Sequence, residues 1–212
     1  MNHTHWIPHP TELSGEQVKL VPLEAAHFNE ICALAENKAI WKYSVMDVDG
    51  SDRSELLKSL NNKLAKRESG DYYPFSIVAK SSHKIIGNTM FFDLNAAHRS
   101  LEIGTTWLHP DYWGTGINVE CKHLMLEYCF EKLNTIRVQI KSVHDNMRSR
   151  GAIEKVGFTL EGVLRNDRIL PNGSYRTAAY YSIIESEWPR VKSQLQTFGF
   201  GKNATNFSND AH

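Results

Sequence analysis

The chain has 212 residues, its 24 basic and 24 acidic side chains cancel, and 41% of its residues are hydrophobic. That length suits one domain with its own core, and the balanced charge offers neither a basic stripe for nucleic acid nor an acidic surplus for a cationic partner. No apolar run is long enough for a bilayer, the first residues lack a leader's apolar stretch, and three cysteines without a CxxC pair argue against a disulfide or zinc framework, so a cytoplasmic chain without bound metal or membrane is expected.

Residues 1–14 read as an irregular arm. His3, His5 and His9 cluster in it, but nothing there fixes ligand geometry, so a mobile tail is expected rather than a metal site. Residues 15–196 read as one domain and 197–212 as a loose polar tail. A strand is expected at 18–23 and a helix at 25–37, where Phe28, Ile31, Cys32, Leu34 and Ala35 recur at helical spacing. A second helix is expected at 51–69, with Leu56, Leu57, Leu60 and Leu64 on one stripe, Ser51 or Asp52 as cap and Gly70 as stop.

The period then shortens, predicting strands at 75–79, 84–94 and 100–108. A long helix follows at 114–133. Ile117, Cys121, Leu124, Met125, Tyr128 and Cys129 form its apolar stripe, and Glu120, His123, Glu127 and Glu131 its opposite face. Next come a strand at 136–141, a helix at 146–156 stopped by Gly157, and a hairpin of 158–170 with 175–184 across Pro171-Asn172-Gly173. A helix at 187–195 closes the domain. Strands outnumber helices and several form hairpins. The fold class is therefore α/β of the α+β type, with a mixed sheet flanked by helices.

The most informative segment is a strand that stops, a turn, and a helix whose first turn holds Gly114-Thr115-Gly116. A helix start offers unpaired N–H groups and partial positive charge, and glycine lets phosphate oxygens approach the backbone. A Walker loop would need Gly-Lys-Ser/Thr, but Ile117 and Asn118 follow Gly116. A dinucleotide fingerprint would need glycine where Val119 stands. A phosphate-binding helix with neither suits the diphosphate of a coenzyme A.

The strand 101–108, His109-Pro110-Asp111-Tyr112-Trp113-Gly114-Thr115-Gly116 and the helix after them resemble the central motif of GNAT acetyltransferases. Asn146-Met147-Arg148-Ser149 with Glu154-Lys155-Val156-Gly157-Phe158 resembles the motif that follows it. Glu161-Gly162-Val163-Leu164-Arg165, Asn172-Gly173 and Glu187-Trp188-Pro189 are similar to the RimJ/RimL-like branch, which includes N-terminal acetylases of ribosomal proteins. The resemblance runs over roughly residues 13–195. It implies a single GNAT-like domain whose mostly antiparallel sheet carries a splayed strand pair for acyl-CoA. Main-chain groups at Trp107, Leu108 and His109 would pair with the pantetheine arm. Amides of Tyr112, Trp113, Gly114, Thr115, Gly116 and Ile117 would take the diphosphate, and Asn146 would bond the pantetheine while capping its helix. Acetyl-CoA is the implied co-substrate, with no metal. A primary amine, on a protein N-terminus or a small molecule, is the implied acceptor, and a homodimer is a possible assembly.

Acyl transfer to an amine needs a neutral nucleophile, so a base helps. Related enzymes often place it on the strand where Glu102 stands beside Gly104, whose missing side chain would leave space; an ion-paired structural carboxylate is the other reading. The Leu108 N–H, at a splayed strand end, is a candidate oxyanion donor. Many GNATs place an acidic tyrosine seven residues after the asparagine; here that residue is Ile153, and Ser149 is the replacement that the branch suggests. Asp111 also departs from the wider motif and must face away from a diphosphate. Trp41, Tyr43, Tyr72, Tyr73, Phe91 and Phe92 are candidates for an acceptor pocket or for core, and Arg165 and Arg168 for an acidic acceptor or for solvent. Two other readings stay open: a non-catalytic acyl-CoA sensor and a nucleotide-dependent enzyme.

Overall fold

The computed structural model describes residues 5–42, 52–170 and 173–198. Eight strands form one sheet in the order β1-β2-β3-β4-β5-β6-β8-β7. They are β1 (Leu13–Ser14), β2 (Val18–Pro22), β3 (Tyr73–Ala79), β4 (Ile85–Asn95), β5 (Ser100–Leu108), β6 (Arg137–Val143), β7 (Thr159–Ile169) and β8 (Tyr175–Ile184). Five α-helices flank them: α1 (Phe28–Ala35), α2 (Arg53–Glu68), α3 (Ile117–Glu131), α4 (Met147–Val156) and α5 (Trp188–Thr197). Every neighbouring strand pair is antiparallel except β5–β6.

Alternation sends successive strand residues to opposite faces. On one face Phe75, Ile77, Phe91, Leu101, Ile103, Val138 and Ile140 pack with Met125, Cys129 and Val191 of α3 and α5. On the other, Leu56 and Leu60 of α2 pack with Ile31 and Cys32 of α1, and Trp107 lies against them. Asp52 caps α2, its carboxylate accepting from the Ser54 and Glu55 N–H groups at 2.8 and 3.1 Å. The helix cysteines Cys121 and Cys129 are fully buried in the core.

Three expectations change. The arm is packed: Ile7 and Leu13 are buried, β1 pairs with β2, and the Thr11 N–H donates to Tyr73 Oη at 2.7 Å. His9 Nδ1 lies 3.2 Å from the same hydroxyl, His3 is outside the described residues, and no cluster fit to hold a metal exists among those described. Glu120, placed on the exposed face of α3, is buried, because its carboxylate accepts from the Glu16 and Gln17 N–H groups and ties α3 to the chain before β2. The hairpin β7–β8 is irregular, with register shifts at Leu160/Gly162 and Leu164/Arg168 and Asn166 at φ 52°. Among the described residues no helix is long and apolar enough to cross a membrane.

Candidate active site

β5 and β6 pair only from Ser100 to Glu102 against Arg137 to Gln139. Beyond that point β5 runs on to Leu108 and β6 to Val143 with no further pairing. The parting strands open a cleft that points at the start of α3.

At that start the chain spends its amides in two ways. Tyr112 and Trp113 donate to His109 O and Pro110 O at 3.0 Å each, closing a short 3-10 turn. The N–H groups from Gly114 to Val119 have no partner among the described residues, and Glu120 N is the first to bond, to Gly116 O at 3.0 Å. Of the six amides expected at a diphosphate, the fold therefore leaves four, at Gly114, Thr115, Gly116 and Ile117. Gly114 (φ 75°) and Gly116 (φ 87°) hold left-handed conformations that glycine adopts without strain, and a Cβ on Gly114 would project into open space. The Asp111 carboxylate is 79% exposed and lies 3.3 Å from His109 Nδ1.

The main chain of β5 is partly occupied. His109 N–H donates to Ile86 O of β4 at 2.8 Å, so alternation turns the Leu108 N–H toward the cleft. The Leu108 carbonyl on that same edge accepts from Trp113 Nε1 at 2.9 Å, and the Arg148 guanidinium stacks 3.8 Å over the Trp113 ring. The Leu108 carbonyl is thus already taken, and the N–H of the same residue remains as a donor. Trp107 points its ring away from α3, against Trp41 at 5.7 Å between centroids. Across the cleft, Asn146 caps α4 by accepting from Ser149 N at 3.1 Å. The Ser149 hydroxyl is half-buried and has no partner among the described residues. Ile153 is 6% exposed and packed in the core, so its position supplies no acid.

Glu102 stands where the strands begin to part, on the face opposite Leu101 and Ile103. It is buried, accepts from Gln139 Nε2 at 2.7 Å and pairs with Lys141 at 2.8 Å. Burial pushes its carboxyl above the usual range, and the bonds from Lys141 and Gln139 offset this only in part. Burial pulls Lys141 down, but its bond to Glu102 and the negative charge of Glu102 and its neighbours together raise it. The expected space beside Gly104 is filled, since a Cβ there would meet Phe92 Cε1 at 2.7 Å.

The polar strip continues across β8 and β7. Lys141 lies 4.8 Å over the Tyr180 ring, Tyr180 donates to Asp167, and Asp167 pairs with Arg176, both side chains being under a tenth exposed. Burial alone would raise the Asp167 carboxyl, but the bonds from Tyr180 and Arg176 outweigh it and hold it low. The sequence reading missed Gln139, Lys141, Tyr180, Asp167 and Arg176. Gln139 and Lys141 alternating with buried Val138 and Ile140 was the one available signal. The other expected acceptor residues divide. Tyr73 and Phe91 are core, while Tyr72 and Phe92 meet edge to face at 6.3 Å on the Glu102 side. Trp41 donates from Nε1 to Ala35 O at 2.7 Å, Arg165 and Arg168 are exposed on β7, and Tyr43 lies outside the described residues.

Known proteins share this architecture. The acetyltransferase (GNAT) domain family matches residues 17–159. The chain is similar to the "Putative ribosomal N-acetyltransferase YdaF" of Bacillus subtilis, 33% identical over 108 residues, a match covering 51% of this chain and 58% of that protein. It is 24% identical over 175 residues to spermidine N(1)-acetyltransferase of Escherichia coli, covering 82% of this chain and 90% of that protein. A crystal structure of a GCN5-related N-acetyltransferase from Brucella melitensis matches with a TM-score of 0.81 at 26% identity, covering 90% of this chain and 86% of that one. RimJ of Mycobacterium smegmatis, solved in complex with CoA-disulfide, shares the fold with a TM-score of 0.78 at 20% identity over 90% of this chain and 96% of that one. Since the family match takes in more than half of the chain, this protein belongs to the GNAT acetyltransferases.

Proposed function

We propose that the protein transfers an acetyl group from acetyl-CoA directly to a primary amine, without a covalent enzyme intermediate. The observation that carries this reading is the run of unspent N–H groups from Gly114 to Ile117 at the mouth of the β5–β6 cleft. Those donors and the helix start suit the diphosphate, and no basic side chain is needed. Asn146 would bond the pantetheine through its Nδ2, since its Oδ1 is committed to the cap. In this reading Leu108 N–H stabilises the oxyanion, and Glu102, directly or through water, takes a proton from the acceptor ammonium so that the neutral amine attacks. A buried carboxyl with a raised affinity for protons suits that task. Ser149 solvates the leaving thiolate, and Trp41, with the exposed Arg165, borders the acceptor.

Two relatives' names point to two acceptor classes, ribosomal protein and spermidine. Glu102, Asp93 and Asp167 stand against Lys141, Arg176 and the exposed Arg165, so charge at the acceptor face selects neither class. Incubation with acetyl-CoA and a panel of polyamines and N-terminal peptides, followed by thiol release and product mass spectrometry, tests the proposal. Acetylated amine in step with free thiol is the expected result. Tight coenzyme A binding with no turnover across the panel would replace the enzyme with a sensor.

A further inference from the structure

Lys122 differs from every other charge near the cleft. It lies on the second turn of α3, is 4% exposed, and has no ion pair among the described residues. Its ammonium donates to Thr106 Oγ1 at 2.6 Å. Thr106 Oγ1 lies 2.7 Å from Thr89 Oγ1 on β4, and Thr89 donates onward to Met125 Sδ at 3.5 Å. Among the described residues the neighbouring titratable groups give no counter-charge. Glu120 is turned to the Glu16 and Gln17 N–H groups, and burial holds the Cys121 thiol protonated, pushed up to about 12. Burial also pushes Lys122 down to about 8, so it remains an ammonium at neutral pH. A buried cation ordinarily has an anion beside it.

The backbone that Lys122 reaches is irregular too. Asn88 opposes Trp107 and Met90 opposes Gly104, so β5 carries one residue more than β4 between them. Thr105 takes up that bulge at φ 48°. Bulges re-aim side chains, and this one leaves Thr105 exposed and Thr106 half-buried, between the ammonium and the strand end at Leu108.

We infer that Lys122 is a positioning residue whose buried positive charge, anchored to β5 by Thr106, lowers through space the energy of the departing coenzyme A thiolate. The inference rests on the reading of the cleft as an acyl-CoA site. In the step concerned, the amine nitrogen bonds to the thioester carbon, the C–S bond breaks, and its electron pair leaves on sulfur. Of the two protons the ammonium gives up, the one lost before attack goes to Glu102 and the one lost after it goes to water, and the thiolate later takes one from solvent. A positive charge in a site shielded from water favours the anionic form of a nearby thiol. It would supply electrostatically what Ile153 lacks as an acid.

The test is a titration of coenzyme A bound to the full chain, followed by the ultraviolet absorbance of its thiolate. The protein's own thiols stay silent near neutrality, because Cys32, Cys121 and Cys129 are all raised by burial. The bound thiol should ionise at a pH about one unit lower in the wild-type chain than in Lys122→Met, a tenfold difference in ionisation constant. Lys122→Arg should restore it and Thr106→Val should lose part of it. In Lys122→Met kcat should fall about tenfold while KM for acetyl-CoA moves less than about threefold. An unchanged thiol in Lys122→Met and in the better-tolerated Thr106→Val overturns the inference alone. Failure of the wild-type chain to bind coenzyme A overturns the reading of the cleft and this inference with it.

Discussion

The two walls of the cleft are made of different material. Around Gly114–Ile117 the donors are main-chain N–H groups, placed by two glycines and the start of one helix. Across the sheet, Glu102, Lys141, Tyr180, Asp167 and Arg176 are side chains from four strands, held by one another. A main-chain site is specified locally, carries fixed partial charge and titrates with nothing. A side-chain site needs the whole sheet in register, and each member's ionisation depends on the others. Substitutions in the first should therefore change cofactor affinity alone, and those in the second stability or turnover.

The largest effect expected is on stability in the side-chain wall. Asp167→Ala leaves Arg176 buried without its carboxylate and should cost about 3 kcal/mol, read as a shift in the denaturant midpoint. Folded Asp167→Ala protein should still bind coenzyme A normally. Next is Gly114→Val, whose branched side chain would occupy the space in front of the amides and strain a left-handed residue. The dissociation constant for coenzyme A should rise about 100-fold, or about 2.7 kcal/mol, by calorimetry. Glu102→Gln should lower kcat about 30-fold with cofactor affinity unchanged. Because the Glu102 carboxyl is raised, kcat/KM of the wild-type chain should climb with pH through an apparent pKa above the usual carboxylate range, and Glu102→Gln should lack that limb. The smallest is Asn146→Ala, which removes the α4 cap and should cost about 1 kcal/mol of stability. Loss of coenzyme A affinity in the Asp167 or Glu102 variants, or intact affinity in Gly114→Val, would erase the distinction between the walls.

The same distinction governs what the sequence disclosed. The helix start could be read from Gly114-Thr115-Gly116 and the failed lysine and third-glycine positions, because local sequence alone builds it. So could α4 with Asn146 and Gly157 at its ends, and the existence of β5 and α3, although the bulge at Thr105 breaks the period of β5. Glu120 looked exposed from its place on the helix, yet the chain before β2 closes over it and spends two N–H groups on it. The arm looked loose because Ile7, Leu13 and the Thr11 N–H find their partners in distant residues such as Tyr73. Pairing Glu102 with Lys141 needs the β5–β6 register, and joining Asp167 to Arg176 and Tyr180 needs a hairpin with two irregular steps. Occupation of the Leu108 carbonyl by Trp113 likewise depends on the fold of the intervening turn.

The most direct test is a crystal structure of the chain with coenzyme A bound. The diphosphate should lie within hydrogen-bonding distance of the Gly114 to Ile117 N–H groups, with the thiol end between β5 and β6 near Leu108. A diphosphate held elsewhere by lysine or arginine side chains, with those amides facing water, would contradict that placement.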